Sequence, residues 1–282
     1  MKILLVGGTS SLAKALKPKL SAFGEVITAG RTNCDIRLDL NNLNEEIKFP
    51  SGIDVVINTA ASFGGISSKE ILETENVNVL GTLRLCVAAN EANVKHFILF
   101  SSMSACLSED SEYYGIYALS KKQSEEIARL YCSLNKLPLC ILRPSQIYGN
   151  ENSFRKHQPF IYNMIEKAER GQDITIYGSK DALRNYIHSD DLANIISRVI
   201  QHKVEGTYST IQTKNVTYSE IAKAAFKAFN TNGKVVFLKD KPDIPDNIFD
   251  FDDSLYKKID FYPEISIEEG MKRIATHIKE SK

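Results

Sequence analysis

A chain of 282 residues is long enough to bury one large α/β core, or a main domain with a smaller lobe. Its 35 basic and 35 acidic residues cancel, so no net field draws nucleic acid or an anionic membrane, and neither is expected as a partner. The five cysteines (Cys34, Cys86, Cys106, Cys132, Cys140) are odd in number and form no CxxC pair, which argues against a disulfide framework or a zinc site and fits a reducing cytoplasm.

The N-terminus, MKILLVGGTSS, carries one lysine and an apolar run cut off at Gly7, too short for a signal-peptide core. Nothing approaches the ~20 apolar residues of a membrane span. From residue 1 to 149, β-rich apolar runs (KILLVGG, EVITAG, DVVINTAA, HFILFSS, LCILRPS) alternate with helix-length segments. That alternation predicts parallel strands joined by crossover helices: a doubly wound α/β domain over 1–149, with 186–211 packing back onto it. Residues 150–282 read as a smaller lobe: a loop at NENSFRKHQP, a helix at FIYNMIEKAERG, a strand at DITIYG and a helix opening after HSDD. Further on come a helix at TYSEIAKAAFKAFN capped by Thr217, and a strand at KVVFL.

The segment after the first strand, GGTSSLAKAL, is a small-residue turn entering a helix, where free amides and the helix dipole suit a diphosphate. The glycine-spaced dinucleotide fingerprint is incomplete, with Gly7, Ser10 and Ala13 at its positions, and a tight turn without ligand explains the segment too. Gly7, Thr9, Ser10, Ser11 and Leu12 are the candidate diphosphate contacts. The second strand ends at Arg31, where an acidic residue would accept from a free ribose and an arginine pairs with a 2′-phosphate. NADP(H) is therefore favoured over NAD(H), although a solvated arginine would look the same. Asp39 and Leu40 in DLNNL fall beside the expected adenine pocket, and Thr59, Ala60 and Ala61 in NTAAS are small where backbone must pass the cofactor.

Tyr117 and Lys121 stand four apart where a helix begins. A phenol has a pKa near 10, and bringing it to about 7 takes roughly 4 kcal/mol of differential stabilisation. An ammonium some 4 Å away supplies about that at an effective dielectric near 20. Ser101, Ser102 and Ser104 end the strand HFILFSS, at the edge where α/β proteins bind ligands.

Taken together, GGTSSLA, DVVINTAA, NVNVLGTLRL, FSSMS, Tyr117-x-x-x-Lys121, LRPSQIYG, ITIYGSKDALRNYIHSDDLA and EISIEEG resemble the extended short-chain dehydrogenase/reductases that act on nucleotide sugars. The resemblance covers nearly the whole chain. It implies Tyr117 as general acid/base, Lys121 as the group that lowers its pKa and holds the nicotinamide ribose, and Ser102 as hydrogen-bond donor to the reacting oxygen. Ser104 is the rival serine, because Cys106 replaces the tyrosine that sets the family's register. Asn78, Ser101, Pro144 and Ser145 match cofactor-side positions. Ser104, Gln146, Tyr177 and Arg184 match the substrate side, Arg184 as the binder of a diphosphate. His188 reads as a buried structural histidine and His157 as a solvated loop residue.

Within the family, a 4,6-dehydratase would need an acidic pair where Met103 and Ser104 stand. A 3,5-epimerase/4-reductase would carry a cysteine at 104. The resemblance leaves an NADPH-dependent ketoreductase acting on C4 of a nucleoside-diphosphate 6-deoxy-sugar, which Arg31 favours, and an NAD-dependent 4-epimerase. A non-catalytic NADP-binding regulator is the reading from another class, opposed by the presence of both Tyr117 and Lys121. Apolar positions at helical spacing in the helix after Tyr117 and the one at 78–92 fit the family's homodimer seam, or burial within one subunit.

Overall fold

The run KILLV forms a strand because a sheet covered on both faces buries consecutive side chains, and Ile3 to Val6 are all buried. In the computed structural model, which describes residues 1–281, the strands are β1 (Lys2–Val6), β2 (Glu25–Gly30), β3 (Ile36–Arg37), β4 (Val55–Asn58), β5 (His96–Phe100), β6 (Leu139–Pro144) and β7 (Gln146–Tyr148). They continue with β8 (Ile174–Tyr177), β9 (Leu183–Arg184), β10 (Tyr186–His188), β11 (Gly206–Thr210), β12 (Val216–Thr217) and β13 (Val235–Leu238). The helices are α1 (Ser11–Leu20), α2 (Ser68–Glu75), α3 (Gly81–Glu91), α4 (Ile116–Asn135), α5 (Pro159–Glu169), α6 (Ser189–Gln201), α7 (Tyr218–Phe229), α8 (Ser254–Ile259) and α9 (Ile267–Glu280).

The chain divides into two units, the first comprising Met1–Pro144, Ala193–Thr210 and Asp252–Phe261. Its sheet runs β11-β6-β5-β4-β1-β2-β3, parallel throughout, with β1 between β2 and β4 as in doubly wound folds. Five of these strands are the apolar runs of the sequence; β3 and β11 are additions. β3 is only two residues long and β11, GTYST, carries a weak apolar pattern, so neither has a periodicity to read. One apolar cluster joins Leu4, Val56, Phe97 and Ile141 of the sheet to Leu85 and Ala89 of α3 and to Ala128 and Cys132 of α4. The helix expected at 78–92 is α-helical only from Gly81, because Asn76–Leu80 forms a π-turn. All five cysteines are free.

The second unit holds Ser145–Leu192, Ile211–Phe251 and the chain from Tyr262. It contains three strand pairs, β7 with β10 and β8 with β13 in parallel and β9 with β12 antiparallel, and α7 packs against both α5 and α9. Thr217 caps α7 in a reciprocal box: its side chain accepts from the Glu220 amide and the Glu220 carboxylate accepts from the Thr217 amide. No helix among the described residues is long and apolar enough to cross a membrane.

Candidate active site

The turn after β1 folds tightly because Gly7 adopts φ 81° and a Cβ there would come within 2.8 Å of the Ala60 amide and 2.9 Å of Thr59 Oγ1. Thr59 itself is tied to β1, its hydroxyl donating to the Val6 carbonyl at 2.8 Å. The amides of Gly7 and Gly8 both bond the Ala29 carbonyl, and Ser10 caps α1 by accepting from the Ala13 amide at 3.1 Å. The amides of Thr9, Ser11 and Leu12 are left without an acceptor among the described residues. A backbone cradle closed to any Cβ, next to three free donors at a helix N-terminus, fits a dinucleotide's diphosphate.

Around this turn, Arg31 is exposed at the end of β2. The Asp39 carboxylate accepts from the Asn41 amide at 3.0 Å, and Leu40 contributes its side chain to the apolar cluster. Ala60 and Ala61 follow β4, with the Ala60 amide held by Asn58 Oδ1 at 3.1 Å. Pro144 ends β6 and is buried.

Tyr117 lies in the first turn of α4 and Lys121 one turn on, so both project from one helix face. Lys121 is 3% exposed, and its Nζ donates to the Phe100 carbonyl at 2.8 Å while lying 5.9 Å from the centre of the Tyr117 ring. Ser102 follows β5 in extended conformation; its Oγ accepts from the Ser104 amide and donates to Ser104 Oγ, each at 3.1 Å. Burial dominates the environment of the phenol, and Ser102, rather than Ser104, is the serine close enough to offset part of that effect.

The electrostatics correct one expectation. Burial pushes the Tyr117 phenol up to about 12 instead of the ammonium bringing it down, and burial lowers Lys121 to about 8 against the opposing charge of Glu125. The reason is that Lys121 is turned to the end of β5, and desolvation penalises the charged form of both groups. At neutral pH the phenol therefore holds its proton.

Glu125, a further turn along α4, is the junction of a buried network that motif reading missed. Its carboxylate accepts from Ser101 Oγ at 2.5 Å, from Arg143 Nε at 2.8 Å and Nη2 at 2.5 Å, and from Arg129 Nη1 at 3.1 Å. The Ser101 hydroxyl is thus turned inward. Position four after Lys121 was the available signal, since it puts Glu125 on the same helix face. Asn78, in the π-turn, donates to the Ser62 carbonyl and to Ser120 Oγ and accepts from the Ser62 amide, joining the loop after β4 to α4. Phe63 of that loop stacks on Tyr117. No periodicity marked it.

In the second unit, Ser145 Oγ and Gln146 Oε1 are buried without a hydrogen-bond partner, while Gln146 Nε2 donates to Gln158 Oε1 at 3.1 Å. Such unsatisfied acceptors are uncommon and suit a ligand-facing segment. Tyr177 is exposed. Arg184 is placed otherwise than a free diphosphate binder would be. It is 2% exposed, with Nε on the Tyr218 hydroxyl at 2.6 Å and Nη1 on the carbonyls of Leu183 (2.8 Å) and Pro245 (2.7 Å). His188 is fully buried, its Nδ1 accepting from the Asp190 amide, and burial lowers it to about 4. His157 is lowered as well, by burial and the neighbouring Lys156.

Residues 3–211 match the profile of the NAD dependent epimerase/dehydratase family. The chain is 22% identical to GDP-L-fucose synthase of Escherichia coli over 96% of its own length and 94% of that protein's. It is 26% identical to a UDP-N-acetyl-alpha-D-glucosaminuronate decarboxylase of Bacillus cytotoxicus, over 86% and 81%. Among solved structures it superposes on RMD from Pseudomonas aeruginosa complexed with NADPH at a TM-score of 0.81, with 17% identity and complete coverage of both chains. The UDP-glucose 4-epimerase of Thermotoga maritima with UDP-glucose matches at 0.79 and 18% identity, over 100% of this chain and 99% of that one.

Proposed function

Because the chain belongs to the NAD dependent epimerase/dehydratase family, and is a Rossmann-type nucleotide-sugar enzyme of the epimerase/dehydratase/reductase group, we propose that it is an NADPH-dependent ketoreductase. Its substrate on this reading is a nucleoside-diphosphate 6-deoxy-sugar with a keto group at C4. The observation that carries the reading is Arg31: an exposed cation ends β2, where a preference for NAD would call for a carboxylate. A reductase consumes and exchanges its dinucleotide, whereas a 4-epimerase recycles a retained one.

Bound at this site, a reduced dinucleotide would supply hydride to the carbonyl carbon. Tyr117 gives its proton to the carbonyl oxygen as that oxygen gains charge, and Ser102 donates a hydrogen bond to the same oxygen, so the product is the alcohol. A phenol held protonated by burial is suited to this direction. Lys121 contributes a buried positive charge beside the phenol and a donor for the nicotinamide ribose. Ser145, Gln146 and Tyr177, in the second unit's segments, are the candidate contacts to the nucleotide sugar, with Ser104 beside Ser102. Arg184 is a further candidate, with its Nε and Nη1 already held by the Tyr218 hydroxyl and the Leu183 and Pro245 carbonyls.

The alternative is NAD-dependent 4-epimerisation, supported by the family's name and by the fold shared with UDP-glucose 4-epimerase. A steady-state assay with a 4-keto-6-deoxy nucleotide sugar separates the two. Stoichiometric oxidation of NADPH is the expected result, and interconversion of isomers without net oxidation overturns the proposal. Leu130 and Leu134 of α4 and Leu80 before α3 stay exposed, which supports a homodimer through these helices; light scattering at micromolar concentration tests it. Five free thiols support a reducing, cytoplasmic setting.

A further inference from the structure

We propose that Arg37, on β3, is a second cofactor-selecting residue, and that with Arg31 it brackets the 2′-phosphate of NADP(H). The inference rests on the cofactor reading above and extends it to a residue that carries no motif.

The sheet places Arg37. β3 pairs with β2 in parallel register, Ala29 opposite Ile36 and Gly30 opposite Arg37. Side chains of paired residues leave a sheet on the same face, and neighbours along a strand on opposite faces. Ala29 and Ile36 belong to the apolar cluster on one face. Gly30 and Arg37 therefore share the other. That other face carries the diphosphate turn: a Cβ on Gly30 would lie 2.9 Å from Cys34 Sγ and 3.7 Å from the Gly8 amide nitrogen, and a Cβ on Gly8 would lie 2.6 Å from Thr28 Cβ. Arg31 directly follows Gly30, so two arginines flank the one side-chain-free position beside the turn.

Both guanidiniums are also uncommitted. Arg31 and Arg37 are exposed and, among the described residues, have no hydrogen-bond or ion-pair partner. The other arginines of this unit are all engaged: Arg84 with the carbonyls of Leu40 and Glu45, Arg129 and Arg143 with Glu125, and Arg198 with the carbonyls of Ile259 and Asp260. The one acidic residue between the pair, Asp35, is exposed but bonded to Thr28. Its Oδ2 accepts from the Thr28 amide at 2.8 Å and the Thr28 hydroxyl at 2.7 Å, and these bonds hold its pKa below the ordinary value. The loop that reverses the chain is fixed by Asn33 in the left-handed region at φ 51°. The result is an edge with two free guanidiniums whose intervening carboxylate is committed to Thr28, which suits a dianionic phosphate gripped by planar forks.

Calorimetric titration of the full chain with 2′,5′-ADP and with 5′-ADP tests the inference without turnover. The wild-type protein is expected to favour 2′,5′-ADP. Arg37→Met is expected to weaken 2′,5′-ADP by about tenfold while leaving 5′-ADP within about twofold, which also reports that the fold is intact. Arg37→Lys, which keeps charge but not the fork, is expected to fall between them. A wild-type protein indifferent to the 2′-phosphate overturns the cofactor reading. A wild-type preference that survives unchanged in both Arg37 variants overturns this inference alone.

Discussion

The ring of Phe63 lies parallel to that of Tyr117, with centroids 5.1 Å apart and planes 11° from each other. Tyr117 sits on a rigid helix, and its ring is kept in place by this stack. Phe63→Ala is expected to lower kcat by about two- to tenfold, the worth of one aromatic pair, while the melting temperature moves little because Phe63 is 52% exposed. Unchanged kcat with a 4-keto sugar nucleotide would mean that other contacts hold the phenol.

Lys121 sets the alkaline limit. Held at about 8 by burial, its ammonium is lost as pH rises through that value, whereas Tyr117 keeps its proton up to about 12. Glu125 is the charged group facing Lys121 along α4, with Arg143 and Arg129 bound to that carboxylate. Turnover is expected to fall above about pH 8. Stability moves the other way: an unfolded lysine titrates near ~10.4, so between about 8 and ~10.4 the unfolded chain binds more protons and this group's contribution rises with pH. Rate profiles and melting curves over that window, with Lys121→Met as the control that removes both effects, check the signs.

Replacing Glu125 removes the acceptor of three side chains at once. Glu125→Gln is expected to destabilise the protein by about 3 kcal/mol, since it leaves the half-buried Arg143 guanidinium without its carboxylate. The pKa of Glu125 is held below its ordinary value despite burial, because Arg143, Ser101 and Arg129 all bond the charged form. Its contribution is therefore present above the ordinary carboxylate range and is lost as pH falls through the lowered value. Urea titrations at pH 7 and pH 4 are expected to differ less for the variant than for the wild type.

Gly7→Ala introduces a Cβ within 2.8 Å of the Ala60 amide at a residue with φ 81°. The strain is expected to cost about 1–3 kcal/mol and to weaken dinucleotide binding by more than it lowers the melting temperature, because the turn that presents the free amides must open. A thermal-shift series with NADPH reads both effects.

Much of this molecule is written in local pattern. The five apolar runs became central strands, Thr217 caps α7, and the spacing of Tyr117 and Lys121 placed them on one face of α4, because each depends on period, capping or one helical turn. β3 was beyond reach for the opposite reason: a two-residue strand has no period, and it exists because β2 offers it an edge.

The sequence by itself determined the parallel core and the chemistry available at its carboxyl edge, since burial on both faces and helix geometry act over a few residues. Tertiary structure alone decided how charge is distributed there. It turned Lys121 to Phe100, drew Glu125 onto Ser101 and Arg143, folded Asp35 onto Thr28 and left Arg31 and Arg37 unpaired. Each of those outcomes depends on which dipoles and charges lie within a few ångströms in space, and separation along the chain does not encode that distance.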